Sequence, residues 1–390
     1  MSVLKQFISV IMKPTLDCNL RCRHCYHRPS ECSDDVMSTE VLEKSIRLVH
    51  EEYDSTRFIW HGGEPLLATE AFFKQALKTE RRYFGRNLER CGNTIQTNGL
   101  LLKPKFIEFC KNNRINLGVS YEGDYSKGLR PGADIERIRN SIEYMVRKGH
   151  MFTLSTTVHG GNVNDMMHIY DQFNSMGASF CYNPVVRIGC GSDNKDVQID
   201  AETYIRNSIE AFDNWISDKE SNIPVMPFFQ YVLTAMSEPN ISDCAHSSCL
   251  TKWICIYPNG DLYPCGKACP EQFRMGNIGD MEHLSEAFES DGFRNILIGS
   301  IERRSKCKDC EIYRYCNGGC SIDAMADGDI ESNGGFGCKV YKAVFSHIKS
   351  TMDEIVDTKP DLSRYNHFIR DAVVGKLINP RVYDSIVGIQ

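Results

Sequence analysis

The sequence predicts an α/β fold, a parallel sheet with crossover helices followed by a smaller unit rich in cysteine. Two observations carry this. Short apolar runs alternate with longer segments of helical periodicity through residues 1–225, and ten of the eighteen cysteines fall between Cys244 and Cys338.

In chain order, the strand candidates are ISVIMKP (8–14), RFIWH (57–61), NTIQTN (93–98), INLGVS (115–120), MFTLSTTV (151–158) and ASFCYNPV (178–185). Between them stand EVLEKSIRLVHEEY, EAFFKQALKTERRYF, KPKFIEFCKNN, IERIRNSIEYMVRKG and VNDMMHIYDQFNSMG, each with apolar residues at helical spacing. Repeated strand, helix, strand units imply parallel pairing with right-handed crossovers. Residues 201–237 read as helical with a break at Pro224 and Pro227, a bridge to the second unit. Beyond Cys338, KVYKAVFSHIKSTMDEIVD continues as an amphipathic helix, and residues 358–390 are expected to dock on the first unit. The expected domains are therefore 1–225, 226–340 and a helical tail over 341–390.

The 390 residues, 42% hydrophobic and 25% charged, fit a soluble globular protein of two or three domains. A formal charge of −6 and the lack of a long basic run with interleaved aromatics argue against a nucleic-acid binder. No stretch approaches the length needed to cross a bilayer, and MSVLKQFISVIMKP has no signal-peptide cleavage site. The expectation is a cytoplasmic protein. Thiols stay reduced in that compartment, so the clustered cysteines read as metal ligands and not as disulfides.

Cys18, Cys22 and Cys25 stand as C-x3-C-x2-C in CNLRCRHC, directly after the first strand. Three thiolates at this spacing can hold three corners of one [4Fe-4S] cube and leave the fourth iron open. Clusters that only carry electrons are usually ligated by four cysteines, so a three-ligand site suggests that a small molecule completes the coordination. The alternative is zinc, for which His24 or Cys32 would close a tetrahedron.

This spacing, its place after a first strand and Tyr26 behind the third cysteine resemble the radical S-adenosylmethionine (radical SAM) superfamily. The resemblance implies a partial (β/α)6 barrel of the TIM type, with ligands at the C-terminal strand ends. It implies that the amino and carboxylate groups of SAM chelate the open iron. Reductive cleavage then gives a 5′-deoxyadenosyl radical that abstracts a substrate hydrogen, while the protein orients the cofactor.

His61, Gly62, Gly63, Glu64 and Pro65 resemble the family's GGE motif, in which glycines permit close backbone approach and Glu64 would contact the SAM amino group. Gln96, Thr97, Asn98 and Gly99 read either as a polar turn or as a QTNG segment similar to those of the peptide-modifying branch. The resemblance puts Ser120 near the SAM ribose and offers Arg130 to the SAM carboxylate through a charge-assisted bond. Arg130 can equally cap a helix or line a peptide channel. Thr156 and Thr157 face either the adenosyl group or the core, because alternate strand residues point to opposite faces.

Cys307, Cys310, Cys316 and Cys320 give C-x2-C-x5-C-x3-C, followed after a gap by Cys338. Upstream, Cys249 and Cys265 bracket Gly260 as C-x10-G-x4-C. This order resembles the SPASM domain, which zinc knuckles with paired C-x2-C motifs would not explain. By this resemblance Cys244, Cys249, Cys265 and Cys320 hold one auxiliary [4Fe-4S] cluster, and Cys307, Cys310, Cys316 and Cys338 hold the other. The chain would thus carry three [4Fe-4S] clusters. Cys181, Cys190, Cys255 and Cys269 stand outside the pattern as core or surface thiols, with Cys190 placed after the sixth strand where it can approach the active site.

Auxiliary clusters suit a reaction that removes electrons from a substrate radical, and SPASM proteins modify peptides or proteins. One branch, the anaerobic sulfatase maturases, makes formylglycine from Cys or Ser with an Asp base directly after the cysteine of the G-x4-C element. Here that position is Gly266. Glu122 and Asp261 are the candidate substitutes for a base. The other branch, maturases of ribosomally made peptides, installs thioether or carbon-carbon cross-links, and the missing Asp favours it. Only seventeen residues precede Cys18, so a leader peptide would be held by strand addition, by the C-terminal tail or by a separate leader-binding protein. A flavodoxin or ferredoxin would supply the reducing electron. A protein that only transfers electrons through three clusters is the reading from another class, against which the open-iron trio and GGEP both argue.

Overall fold

The computed structural model describes residues 5–31, 35–236, 244–246, 249–267, 270–328, 330–331, 333–358 and 361–378. Cys32 and Cys269 lie outside them. Nine strands form one sheet: β1 (Lys5–Thr15), β2 (Tyr53–Gly62), β3 (Cys91–Thr97), β4 (Ile115–Ser120), β5 (Phe152–Val158), β6 (Phe180–Pro184), β7 (Val225–Met226), β8 (Trp253–Ile256) and β9 (Leu262–Tyr263). Their order is β7-β6-β5-β4-β3-β2-β1-β8-β9. Every neighbouring pair is parallel except β8 with β9.

All six expected strands are present, and the five expected crossover helices are Thr39–Glu52, Thr69–Phe84, Pro104–Asn112, Ile135–Arg147 and Met166–Met176. Local chemistry starts them. The side chains of Ser38 and Asp134 accept from Val41 N and Arg137 N, satisfying otherwise orphaned amides, and Pro104 opens its helix where no amide donor is needed.

Strand alternation divides the sheet into two unlike faces. Ile8, Val10, Met12, Phe58, Trp60, Ile95, Leu117, Val119 and Leu154 are fully buried on the helical side. The residues between them, including Ile11, Ile59, Gln96, Ser120, Ser155, Thr157, Cys181 and Asn183, are only partly covered. Parallel sheets usually bury both faces. Here the inner face is polar and half open, the surface a ligand needs.

The second unit is sewn into this sheet. β8 pairs with β1 from Ser9↔Trp253 to Met12↔Ile256, so the edge of the first strand is covered by the cysteine-rich segment. The β8–β9 turn requires Gly260: its φ is +89°, and Gly260 N donates to Tyr257 O at 2.9 Å. The helix Phe336–Thr358 crosses the expected boundary at 340 in one piece. In the tail, Phe368 of helix His367–Ile378 packs against Trp215 and Phe229, and Asn366 Nδ2 donates to Trp215 O at 2.6 Å.

Candidate functional site

The loop carrying Cys18, Cys22 and Cys25 leaves the C-terminal end of β1 and is held from two sides. On one side Gly63 N donates to Thr15 O at 3.0 Å and Glu64 N to Asp17 O at 2.7 Å. The approach is so close that a Cβ on Gly62 would overlap Thr15 O, and one on Gly63 would overlap Asp17 O. The glycines of HGGEP thus admit the chain's own cysteine loop. On the other side the segment after β6 closes down: Cys190 N donates to Cys25 O at 2.8 Å, Asn194 Nδ2 to Arg23 O at 2.9 Å, and Arg28 pairs with Asp193 and Arg23 with Asp196. Cys190 therefore does lie at the site, its thiol 3.4 Å from His27 O.

Glu64 is fully buried and its carboxylate ties three elements together. It accepts from Thr97 Oγ1 (2.7 Å), Leu66 N (3.0 Å) and Asn98 N (2.7 Å). Burial pushes its pKa up to about 7, against the pull of these donors. Thr97 and Asn98 thus serve as an anchor for Glu64, and Asn98 Nδ2 also donates to Asn19 Oδ1 at 2.7 Å beside Cys18.

Arg130 and Glu122 form a buried pair. The guanidinium donates to both carboxylate oxygens at 2.8 and 2.6 Å and approaches Cys22 Sγ at 3.6 Å. Burial opposes ionisation of Glu122, but Arg130 outweighs it and holds the carboxyl below its usual range. Arg130 is the C-cap residue of the short helix Ser126–Leu129, its N donating to Ser126 O at 2.8 Å, while its guanidinium is engaged by Glu122, a committed anion. His24 beside them is held neutral, down to about 3, first by burial and then by Arg130. Its Nδ1 has no hydrogen-bond partner.

The strand ends present a row of paired polar side chains. Gln96 Nε2 donates to Ser120 Oγ at 3.1 Å and Asn183 Nδ2 to Ser155 Oγ at 3.2 Å. Thr156 and Thr157 separate: Thr156 is fully buried and donates to Tyr121 O at 3.0 Å, whereas Thr157 lies on the half-open face. Residues that sequence reasoning passed over complete this wall. Lys13 is fully buried, 3.0 Å from His27 Nε2 and 4.1 Å from the centre of the Tyr257 ring. The Tyr26 hydroxyl meets His61 Nδ1 at 3.1 Å. Burial and Lys13 together lower His61 to about 4. The available signal was Lys13 itself, a charge inside an apolar strand.

The cysteines of the second field lie in two neighbourhoods. Cys265 lies within electrostatic reach of Cys249 and of Cys320, while Cys307, Cys310 and Cys338 surround Cys316. A cavity of about 420 Å³ is lined by Cys244, Cys307, Cys310, Cys316, Cys320 and Cys338 together with Cys181 and Asn183 of β6. Cys244 is exposed, and its turn packs against the turns that carry Cys249 and Cys316. Cys255, fully buried on β8 opposite Ile11, is a core thiol.

Gly266 faces β1, where an added Cβ would come within 2.5 Å of Ile11 Cδ1. Lys267 behind it pairs with Asp323. Asp261 is a turn residue, held by Arg274 (2.5 Å), Asn277 (2.9 Å) and Asn259 (2.8 Å). Burial alone would raise its pKa, but Arg274 and the two amides bring it below the ordinary range.

The donor set fits iron–sulfur clusters. Cys18, Cys22, Cys25, Cys249, Cys307, Cys310, Cys316, Cys320 and Cys338 are thiols, not disulfides. Burial raises Cys18 to about 11 and Cys25 to about 12, so ligation must displace protons, as thiolate ligation does elsewhere. Among the described residues no three His, Cys, Asp or Glu side chains are gathered closely enough for a single ion.

Comparison with known proteins agrees. Residues 12–173 match the radical SAM superfamily and residues 244–311 an iron-sulfur cluster-binding domain, SPASM. A cysteine-type anaerobic sulfatase-maturating enzyme of Clostridium perfringens is 26% identical over 87% of this chain and 96% of its own. The structure of anSMEcpe with bound AdoMet superposes with a TM-score of 0.79 at 22% identity, covering 90% of this chain and 99% of that one. Streptococcus suis SuiB bound to the precursor peptide SuiA gives a TM-score of 0.61 at 18% identity, covering 83% and 74%. The cofactors of these two domains are a [4Fe-4S] cluster with SAM and additional iron–sulfur clusters. The chain belongs to the radical SAM superfamily and to its SPASM-domain subfamily.

Proposed function

We propose that this enzyme oxidatively modifies a peptide, joining two side chains by a thioether or carbon-carbon bond. Bound SAM and the cluster at Cys18, Cys22 and Cys25 supply the 5′-deoxyadenosyl radical that takes a hydrogen atom from substrate. Clusters held by the second cysteine field would take up the remaining electron, and one proton would leave with it, so that the substrate loses two hydrogens in all. Gln96, Ser120, Ser155 and Asn183 line the face on which SAM and substrate meet, with Gly62, Gly63 and Glu64 fixing the cysteine loop and Arg130 beside Cys22. Residues 1–225 house this site, 226–340 the two auxiliary ligand sets given above, and 341–390 the packing tail.

One observation carries the choice of product. Formylglycine chemistry needs a base for the thiol or hydroxyl proton, yet position 266 is a glycine packed on Ile11, and both candidate substitutes, Glu122 and Asp261, are spent in ion pairs. A second reading, formylglycine formation, draws support from the likeness to sulfatase maturases along nearly their whole length. Incubation of the reconstituted enzyme with SAM, a reductant and two peptides separates the readings. One peptide carries a sulfatase motif, and the other is a short Cys- or aromatic-rich product of a neighbouring reading frame. Loss of two hydrogens without a hydrazine-reactive aldehyde supports the cross-link. An aldehyde on the sulfatase peptide overturns it. A reducing flavodoxin or ferredoxin is the partner this reading requires, and a leader peptide would be held by strand addition, by the C-terminal tail or by a separate leader-binding protein.

A further inference from the structure

Arg303 is a buried cation that no acid neutralises among the described residues. Only 2% of it is exposed, in the helix Asp291–Ser305. Its guanidinium donates to Gly318 O (2.9 Å), Gly319 O (3.1 Å), Ile330 O (2.7 Å) and Ser321 Oγ (3.0 Å), all neutral. Nearby Lys267 shows the contrast, since Asp323 neutralises it.

Within electrostatic reach of Arg303 stand Arg304, which worsens the problem, and three cysteine thiols, Cys320, Cys307 and Cys249. Arg304 carries a second defect, a buried Nε with no hydrogen-bond partner. Arginine does not deprotonate in proteins, and an unpaired buried charge is costly. The described polypeptide therefore leaves the Arg303 charge to be balanced by something other than an acid. Cys320 and Cys249 belong to one proposed ligand set and Cys307 to the other, and Arg303 lines the same cavity as Cys307, Cys310, Cys316 and Cys320. A cluster held by four thiolates is an anion.

We propose that Arg303 is a positioning residue shared by the two auxiliary clusters, its fixed charge balancing both and raising their potentials so that they accept an electron from a substrate radical. This rests on the ligand sets proposed above. Hydrogen bonds and field effects at cluster sulfurs are established means of setting such potentials.

The test uses the full chain, reconstituted anaerobically, with Cys18, Cys22 and Cys25 all replaced by Ala so that only auxiliary clusters report. Iron content and EPR-monitored reductive titration are compared for this background, for Arg303→Lys and for Arg303→Gln. The background itself should bind about eight irons; fewer than about six would overturn the ligand sets independently of Arg303. Given that content, a charge role requires Arg303→Lys to keep both potentials and Arg303→Gln to shift both signals to more negative values. If Arg303→Gln retains its iron with unchanged potentials, or if Arg303→Lys fails as badly as Gln, the role is hydrogen bonding alone and the proposal is overturned. Should Arg303→Gln accumulate without iron, the melting temperature of its apoprotein decides. A value at or above that of the background apoprotein supports charge balance, and a lower value overturns it.

Discussion

Glu64 and Arg130 each differ from a simple contact residue for a ligand. Glu64 already accepts three hydrogen bonds from the β2 and β3 loops, so Glu64→Ala strands the donors of Thr97, Leu66 and Asn98 in a buried place. Leaving buried donors unsatisfied costs about 1–3 kcal/mol, and urea unfolding of the apoprotein should show that loss before SAM is considered. Arg130→Met leaves Glu122 buried and charged without its partner. Breaking one side of such a pair costs ~3–5 kcal/mol, and Arg130→Met/Glu122→Gln should recover most of it. If the double variant unfolds as easily as the single one, Arg130 acts through something other than Glu122. Neither partnership was legible in the sequence. The motif HGGEP located Glu64, but its partners come from the end of another strand, and nothing in YEGDYSKGLR announces that residues 122 and 130 fold back on each other.

At the scale of elements, the helix Thr69–Phe84 brings Glu80 under the start of β3. Glu80 is 1% exposed and its carboxyl accepts from Asn93 Nδ2 at 2.8 Å, while Asn93 Oδ1 accepts from Trp60 Nε1 at 2.7 Å. Burial raises its pKa to about 7. Because the folded value lies above the unfolded one, the folded state binds more protons between roughly pH 4.5 and 7, and stability falls as pH rises through that window. Glu64 acts in the same direction. Glu80→Gln should therefore flatten part of the slope and raise the melting temperature at pH 8; an unchanged pH profile would show that Glu80 is not protonated in the fold. The segment after β6 makes a second prediction. Gly189 has φ of +56°, and a Cβ there would overlap Tyr26 O. Gly189→Ala should loosen the grip on the cysteine loop and speed iron loss to a chelator, whereas Gly177→Ala, with a similar φ but no atom nearby, should not. Equal iron loss in both variants would argue against the clamp. The exposed pairs Arg23 with Asp196 and Arg28 with Asp193 should matter little by comparison.

Across the whole molecule, what the sequence revealed and what it concealed divide by range. β1 to β6 and their helices follow from periods of two and 3.6 that any local window displays. The cysteine trio and the SPASM spacing were equally legible, because ligand chemistry fixes their intervals. The attachment of β8 to β1 was not, since it pairs residues 9–12 with 253–256 through backbone groups that carry no residue code. That pairing nonetheless sets Gly266 against Ile11 and the second cysteine field beside the open face of the barrel. Lys13 and Arg303 were hidden for a related reason: the partners of a buried charge lie far away in sequence.

The central claim is that Cys18, Cys22 and Cys25 form an open-iron site that cleaves SAM, independently of the clusters behind it. Release of 5′-deoxyadenosine from SAM by the anaerobically reconstituted, dithionite-reduced protein tests it most directly. The wild-type chain should release it, and the variant with all three cysteines replaced by Ala should release none while losing about four irons. A wild-type chain that yields no 5′-deoxyadenosine, or a triple variant that still does, would contradict it.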